Sequence, residues 1–436
     1  MPYVHLSLQD LHVLLEALAL SERVRPSQLA KRNVFRRWGV AGSWKDPILT
    51  AIFYDTLKRL GIIDRIIVSS GIDLAGLPPK RRWLVRLAVE LLCFERHTSR
   101  DSELKRHVMR LLHKMEPSLP LKKLARCSLP KPKNLFEELS IKFSVSEFLV
   151  KKLVEQLGPK EAIEFLKTVN DVPPMYIKVN RLLVDDNSIL ESLRQIGVGV
   201  EPSRVESVYR IKGRLNLDNF KPLRRCEAII EDEASALAPR LLVAERSANR
   251  IFDMCAAPGY KTLGLAEAAR GCFIVAGEIK RKRVARLKKF LGCAGAWNVE
   301  VVHIDSTLPF FNTRFDAVLV DAPCTGTGTI AKNHELRWRI GPDDIMVLQK
   351  LQLKLLETGL KLLRCGGRLL YTVCSVFVEE GEIVIEKILR EWRGKVELVE
   401  LREPYTNSRF LHGTMRAWPH KHGTIGFFYA LLEKRC

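Results

Sequence analysis

Two cysteines close two strand-like apolar runs fifty residues apart, Cys324 in "VLVDAPCTGTGT" and Cys374 in "LLYTVCSVFVEEGE". Asp321 stands three residues before Cys324, at the tip of the same run. A disulfide, a metal site or two separate chemical tasks would each place thiols there. The chain has ten cysteines, all scattered, and no CxxC pair of the kind used by zinc sites or thioredoxin-like redox centres. No metal is therefore expected. A chain of 436 residues needs no disulfide staples, and a reducing compartment would not keep them. Most of the cysteines are expected to be small core residues. Cys324 and Cys374 differ in lying just past their strands, beside small, polar or acidic neighbours.

A second constellation lies upstream. "RIFDMCAAPGYKT" reads as a strand, a turn of small residues and a helix, and in a doubly wound sheet the ligand sits at the carboxyl ends of the strands, where this turn falls. Cys255, Ala256, Ala257, Pro258, Gly259, Tyr260 and Lys261 form the turn, and its small members let a ligand approach the backbone. The next strand, in "VAGEIKRKR", ends at Glu278, a place where an acid commonly binds a pair of ribose hydroxyls. Asp305 ends "VEVVHID", placed to meet an adenine amino group. Any one of these acids alone would read as a solvated strand end. GxGxxG and the Walker lysine motif are both absent, so a nucleoside without phosphates fits best, and S-adenosylmethionine is the commonest such cofactor.

These residues must be carried by a substantial fold. Alternation of "RIFDM", "FIVAGEI", "VEVVHID", "FDAVLVDAP" and "GRLLYTVCS" with helical or loop segments implies a parallel sheet covered on both faces, which "KVELVEL" and "GTIGFFYALLE" close. This α/β domain is placed at 236–436. Residues 135–235 read as a small α+β module, with "PPMYIKVNRLLV" as a strand, "NSILESLRQIG" as a helix, and "VESVYRI" and "AIIEDEASA" as strand-like runs. The proline- and lysine-rich stretch 116–134 reads as a linker. Residues 1–115 carry apolar positions at three- and four-residue steps, as in "PILTAIFYDTLKRLGIIDRII", and read as all-helical.

The formal charge is +21 and the pI near 9.6, which favours a polyanionic partner, most often nucleic acid. The basic clusters "AKRNVFRRWG", "PPKRRW" and "ELKRHVMRLLHK" are either solvated helix faces or, with their interleaved aromatics, RNA contacts. No apolar run reaches the roughly 20 residues of a membrane span. The start "MPYVHLSLQDLHVLLEALAL" lacks the basic opening and cleavage site of a signal peptide, so a cytoplasmic protein without membrane attachment is expected.

"DMCAAPGYKT", "DAPCTGTGT", "YTVCS…EEGE" and "RAWPHKHGTIGFFYALLEK" resemble the motifs of the Sun/RsmB-type RNA (cytosine-5) methyltransferases, over a stretch from about Leu135 to the C-terminus. More weakly, the N-terminal helices resemble the NusB-type RNA-binding domain of the RsmB branch. The resemblance implies a Rossmann-like class I methyltransferase domain that moves a methyl group from S-adenosylmethionine to carbon 5 of a cytosine. It makes Cys374 the nucleophile, Cys324 the group that assists breakdown of the covalent adduct, and Asp321 the holder of the cytosine edge. Cys255 to Lys261, Glu278, Asp305 and Asp321 would line the cofactor, with Lys261 neutralising the methionine carboxylate or touching substrate phosphate. The chemistry itself calls for a thiolate, because carbon 5 is a poor nucleophile until a thiolate adds to carbon 6.

The chain departs from the family pattern at Tyr260, where a second glycine is usual, at Gly381, where asparagine is usual, and at Glu278, where aspartate is frequent. "TIAKNHELRW" lacks the usual double arginine and proline. Resemblance to the ribosomal branch makes ribosomal RNA the expected substrate and transfer RNA the alternative; a monomer is expected. A DNA cytosine-5 methyltransferase would use the Pro-Cys thiol as nucleophile and has no counterpart of Cys374. A non-catalytic RNA-binding assembly factor would have no use for both thiols and Asp321.

Overall fold

The computed structural model describes residues 6–24, 26–94, 102–244, 248–308 and 311–436. It divides into two compact units, one of Met1–Lys167 with Lys332–Ile340, the other of Thr168–Ala331 with Gly341–Cys436.

The first unit is helical. Helix Leu8–Ser21 opens on a capping box in which Ser7 accepts from the Asp10 backbone and Asp10 reaches back to the Ser7 backbone, satisfying two donors that a helix start leaves free. Helices Ser27–Arg37, Asp46–Lys58, Leu60–Ser69, Pro79–Cys93 and Ser102–Met115 follow. Their apolar stripes meet in a core in which Leu14, Leu18, Phe53, Trp83 and Leu87 are fully buried. The long periodic run over 47–67 is two helices, interrupted at Arg59, whose backbone leaves the helical region.

The two units differ from the expected boundaries at three places. Residues 116–134 are tied down: Leu124 is fully buried in the helical core and Cys127 is bonded to Cys93. Helices Leu135–Phe143 and Glu147–Leu157 group with the N-terminal helices, not with the α+β module. Third, Lys332–Ile340 belongs to the helical unit although it follows the Cys324 loop in the chain. There the buried Glu335 carboxylate accepts from the Ser27 backbone and hydroxyl at 2.8 and 2.7 Å, and Trp338 Nε1 donates to the Lys58 carbonyl at 2.9 Å. Arg337, held entirely inside, donates to the Phe143 carbonyl at 3.3 Å, and burial pulls its guanidinium down to about 10. Such burial of charge costs free energy unless every group finds a partner, so this divergent stretch is under local packing demands of its own.

The second unit holds both sheets. Strands β1 (Tyr176–Val179), β2 (Gly199–Pro202), β3 (Val208–Lys212) and β4 (Ala228–Ile230) form an antiparallel sheet in the order β2-β3-β1-β4. The run "AIIEDEASA" is a strand only as far as Ile230; Asp232 then caps helix Glu233–Val243, accepting from the Ala234 backbone at 3.2 Å. The larger sheet is built on β5 (Arg250–Asp253), β6 (Phe273–Glu278), β7 (Val299–His303), β8 (Phe315–Asp321) and β9 (Leu363–Val373), parallel and in the order β7-β6-β5-β8-β9. β13 (Phe427–Lys434) pairs antiparallel with β9, and its other edge takes β10 (Val396–Val399) and β12 (Met415–Ala417), the latter followed outward by β11 (Thr406–Asn407). The central strands read as unbroken apolar runs because helices cover both faces; Val318, Leu319, Val320, Leu369 and Leu370 are fully buried. The architecture is the Rossmann-like α/β fold expected.

Two pairs of cysteines correct the expectation of reduced core thiols. Cys93–Cys127 and Cys226–Cys293 are disulfides, closing loops of 34 and 67 residues in sequence separation. Loop closure of this size removes about 4 kcal/mol of unfolded-state freedom per bridge. Neither pairing had a local signature, since packing of distant elements brings the partners together. Of the free thiols, Cys272 is buried in the core as expected, and Cys365 and Cys436 are exposed. Among the described residues no helix is long and apolar enough to cross a membrane.

Candidate active site

The singled-out residues lie at or just past the carboxyl ends of β5, β6, β7, β8 and β9. The turn after β5 is stabilised from below by Asp253, which accepts from the Cys255 backbone at 3.3 Å and from Thr262 Oγ1 at 2.7 Å. Burial pushes Asp253 up to about 7 against the pull of the Thr262 bond, and the nearby Asp321 charge adds to the rise. Gly259 takes φ +114° at the start of helix Tyr260–Ala268, and a Cβ there would stand 2.7 Å from Leu287 and 2.8 Å from Phe290. Only glycine fits both demands. Tyr260, in place of a second glycine, turns its ring edge-on to Phe290 with centroids 5.2 Å apart and so packs against helix Arg281–Cys293.

Past this turn is a cavity of about 110 Å³ whose lining includes Met254, Cys255, Glu278, Ile279, Asp305 and Leu355. Glu278 is buried; its Oε1 accepts from the Lys280 backbone at 2.8 Å and its Oε2 lies 3.1 Å from Arg283. A carboxylate has about four acceptor positions, so these bonds leave room for hydroxyl donors. Asp305 Oδ1 accepts from the Thr307 backbone at 2.9 Å and its hydroxyl at 2.7 Å, and these bonds hold the carboxyl below its ordinary range. Among the described residues only Thr307 donates to the Asp305 carboxylate, and both of its bonds go to Oδ1. Oxygen acceptors at two successive strand ends, with apolar Ile279 and Leu355 between them, fit a nucleoside such as that of S-adenosylmethionine. Arg283 and Leu355 were not singled out from the sequence; only the fold brings them to this cavity.

The second focus lies at the tips of β8 and β9. Cys324 Sγ and Cys374 Sγ are 3.4 Å apart and both are free thiols. The hydrogen bond to Cys374 and burial push the Cys324 thiol well above its ordinary value. Asp321 Oδ2 pairs with Lys261 Nζ at 2.9 Å while Thr372 Oγ1 donates to Oδ1 at 3.0 Å. Burial pulls Lys261 down, but Asp321 and Glu231 more than offset it, and the ammonium is held above its usual range. Lys261 also lies 5.3 Å from the centroid of the Phe427 ring. Its protein partners are thus a carboxylate and an aromatic face, and neither was singled out for it from the sequence.

The two thiol loops are joined to each other. The Gly328 backbone donates to the Cys374 carbonyl at 2.9 Å and its own carbonyl accepts from Gly426 at 2.9 Å. A Cβ on Gly328 would fall 1.9 Å from the Gly426 oxygen, which explains the glycine in "TGTGT". Thr327 Oγ1 lies 3.1 Å from Ser375 Oγ and accepts from the Val376 backbone at 3.1 Å. Arg416 on β12 is buried, pairs with Glu382 at 2.5 Å and donates to the Ser375 carbonyl at 3.0 Å. Glu380 is wholly buried between the two loops. Glu380, Glu382 and Arg416 lie within stretches quoted for the family pattern, but no spacing rule marks them as partners across the fold.

The chain is similar to known proteins over much of its length. Residues 240–433 match the model of the 16S rRNA methyltransferase RsmB/F family, and residues 145–217 match the ferredoxin-like domain of RsmF/B-like methyltransferases. The human 28S rRNA (cytosine(4447)-C(5))-methyltransferase is 30% identical over 69% of this chain and 39% of its own length. The probable ribosomal RNA small subunit methyltransferase B of Bacillus subtilis strain 168 is 29% identical over 68% of each chain. The crystal structure of PH0851 is 36% identical, covers 99% of this chain and 100% of that one, and superposes with a TM-score of 0.85. The chain spans about two fifths of the length of the mammalian relatives it matches.

Proposed function

We propose, from the premise that this chain belongs to the RsmB/F methyltransferase family, that it transfers a methyl group from S-adenosylmethionine to carbon 5 of a cytosine in RNA, with ribosomal RNA the substrate. The observation that carries this reading is the pair of thiols 3.4 Å apart beside the Asp321–Lys261 pair. A single nucleophile would need one thiol; addition followed by expulsion gives work to two.

Cys374 Sγ adds to carbon 6 of the ring, and the new carbon–sulfur bond makes carbon 5 enamine-like. The Cys324 and Cys374 sulfurs lie within one hydrogen bond of each other, and either can donate. Asp321 holds the ring edge: as the carboxylate it accepts from the amino group on carbon 4, and once protonated its hydroxyl donates to nitrogen 3 as charge develops there. Lys261 orients Asp321 through their ion pair. S-adenosylmethionine, when bound, supplies the methyl group as a sulfonium electrophile. The carbon 5 proton then leaves to a base, the double bond re-forms, and Cys374 is expelled with the help of Cys324. Glu278 and Asp305 would hold the cofactor's ribose and adenine, with the Cys255–Lys261 turn beside them.

Glu278→Ala is expected to weaken cofactor binding by about 1–3 kcal/mol, because it removes an acceptor and strands the ligand's hydroxyl donors. Isothermal calorimetry with S-adenosylmethionine reads this directly, and unchanged affinity removes Glu278 from the site.

The N-terminal helices, which resemble the NusB type, bind RNA through phosphate contacts. Arg32 and Arg36 are exposed one turn apart on helix Ser27–Arg37. Reversing both charges is expected to lower the slope of log affinity against log salt by about 0.7–0.9 for each phosphate no longer neutralised. An unaltered slope with natural substrate assigns this face to another purpose. The enzyme acts as a monomer in the cytoplasm.

A further inference from the structure

We propose that Glu380 is the positioning residue that sets the separation of the two thiols. The inference rests on the reading of Cys324 and Cys374 as the two active thiols. Glu380 touches neither sulfur. Its Oε1 accepts from the Thr325 backbone at 2.9 Å and from Gln352 Nε2 at 3.1 Å; its Oε2 accepts from Thr325 Oγ1 at 2.5 Å and from Ser375 Oγ at 2.5 Å. Thr325 directly follows Cys324 and Ser375 directly follows Cys374. One carboxylate therefore grips the residue after each thiol, from a site with no solvent exposure.

Glu380 is itself held. Tyr371 Oη donates to its carbonyl at 2.6 Å, and Tyr371 lies on β9, three residues before Cys374. Gln352, on helix Pro342–Leu362, also donates to the Pro323 carbonyl at 2.9 Å, so the same amide fixes the residue before Cys324. Four donors converging on one buried carboxylate make a link that no neutral side chain of the same shape reproduces, because an amide in its place turns one acceptor into a donor facing donors. Without it the two loops remain joined by the Gly328–Cys374 backbone bond and by the hydroxyls of Thr325 and Thr327 beside Ser375, a looser tie.

The test reads thiol proximity in the full chain without RNA or cofactor. Diamide takes two electrons and two protons from a thiol pair and leaves a disulfide, and peptide mapping identifies the Cys324–Cys374 product among the other cysteines. Glu380→Gln is expected to slow formation of that disulfide about tenfold, and Ser375→Ala, which removes one bond of the four, about threefold. In methylation assays kcat falls in the same order while KM for S-adenosylmethionine stays at the wild-type value, since the cofactor cavity does not include Glu380. Wild-type pairing rates in a folded Glu380→Gln variant overturn the proposal. If that variant does not fold, a wild-type rate in Ser375→Ala overturns it. A wild-type protein that methylates no cytosine sinks the functional reading instead, and the diamide comparison still judges Glu380.

Discussion

Cys374→Ala and Cys324→Ala are expected to fail in different ways. Without Cys374 no bond to carbon 6 forms, carbon 5 stays unreactive, and neither methylation nor a covalent protein–RNA species appears. Without Cys324 the Cys374 sulfur still stands at the tip of β9, so attack and methyl transfer proceed, but expulsion of the thiol is impaired and the adduct persists. A denaturing gel after incubation with RNA and S-adenosylmethionine should show a slow-migrating band for Cys324→Ala and none for Cys374→Ala. Both alanines remove a half-buried sulfur, so a thermal melt belongs beside the gel; a loss of activity that merely follows a loss of stability would return both residues to the core. The sulfur separation of 3.4 Å makes the contrast sharp, because either thiol can reach the same ring and only chemistry separates them. A stable adduct from Cys374→Ala alone would move the nucleophile to the β8 loop, as in the DNA enzymes.

Asp321→Asn should produce the second-largest effect. The change keeps the shape of the side chain but removes the charge that pairs with Lys261 at 2.9 Å and sets an amide donor against either Lys261 or Thr372, both of which donate. The ring edge at nitrogen 3 loses its partner while charge develops, and a positioned acid–base group is worth about 10²–10⁴ in rate. The loss is expected in kcat measured by methyl transfer, with S-adenosylmethionine affinity little changed if Asp321 serves the base more than the cofactor. Equal losses in cofactor affinity and in rate would instead make Asp321 chiefly a cofactor ligand.

Much of the sheet was legible before any coordinates. β5, β6, β8 and the second half of β9 are mostly buried on both faces, so they read as nearly continuous apolar runs, and the acids and thiols at or just past their ends stand out against that background. Short edge elements were not: β2 is four half-exposed residues and β11 only two, too few for a periodic signal. The break at Arg59 was hidden because the helical period resumes almost in register on either side. Long-range polar partners were beyond reach for a different reason. Glu380 meets Thr325 across 55 residues and Arg416 meets Glu382 across 34, and no local rule encodes which buried charge will face which. The membership of Lys332–Ile340 in the helical unit was invisible too, since a buried Glu335 and Arg337 look like solvated loop residues until their partners are placed.

Methylation of cytosine carbon 5 in RNA is read most directly on the nucleosides themselves. Unmodified small-subunit ribosomal RNA, transcribed in vitro, is incubated with the full chain and S-adenosylmethionine labelled in the methyl group, then digested to nucleosides and separated by chromatography with mass detection. Label is expected in 5-methylcytidine, present with the wild type and absent with Cys374→Ala; label in any other nucleoside, or 5-methylcytidine formed equally well by Cys374→Ala, would show that the chain does not work this way.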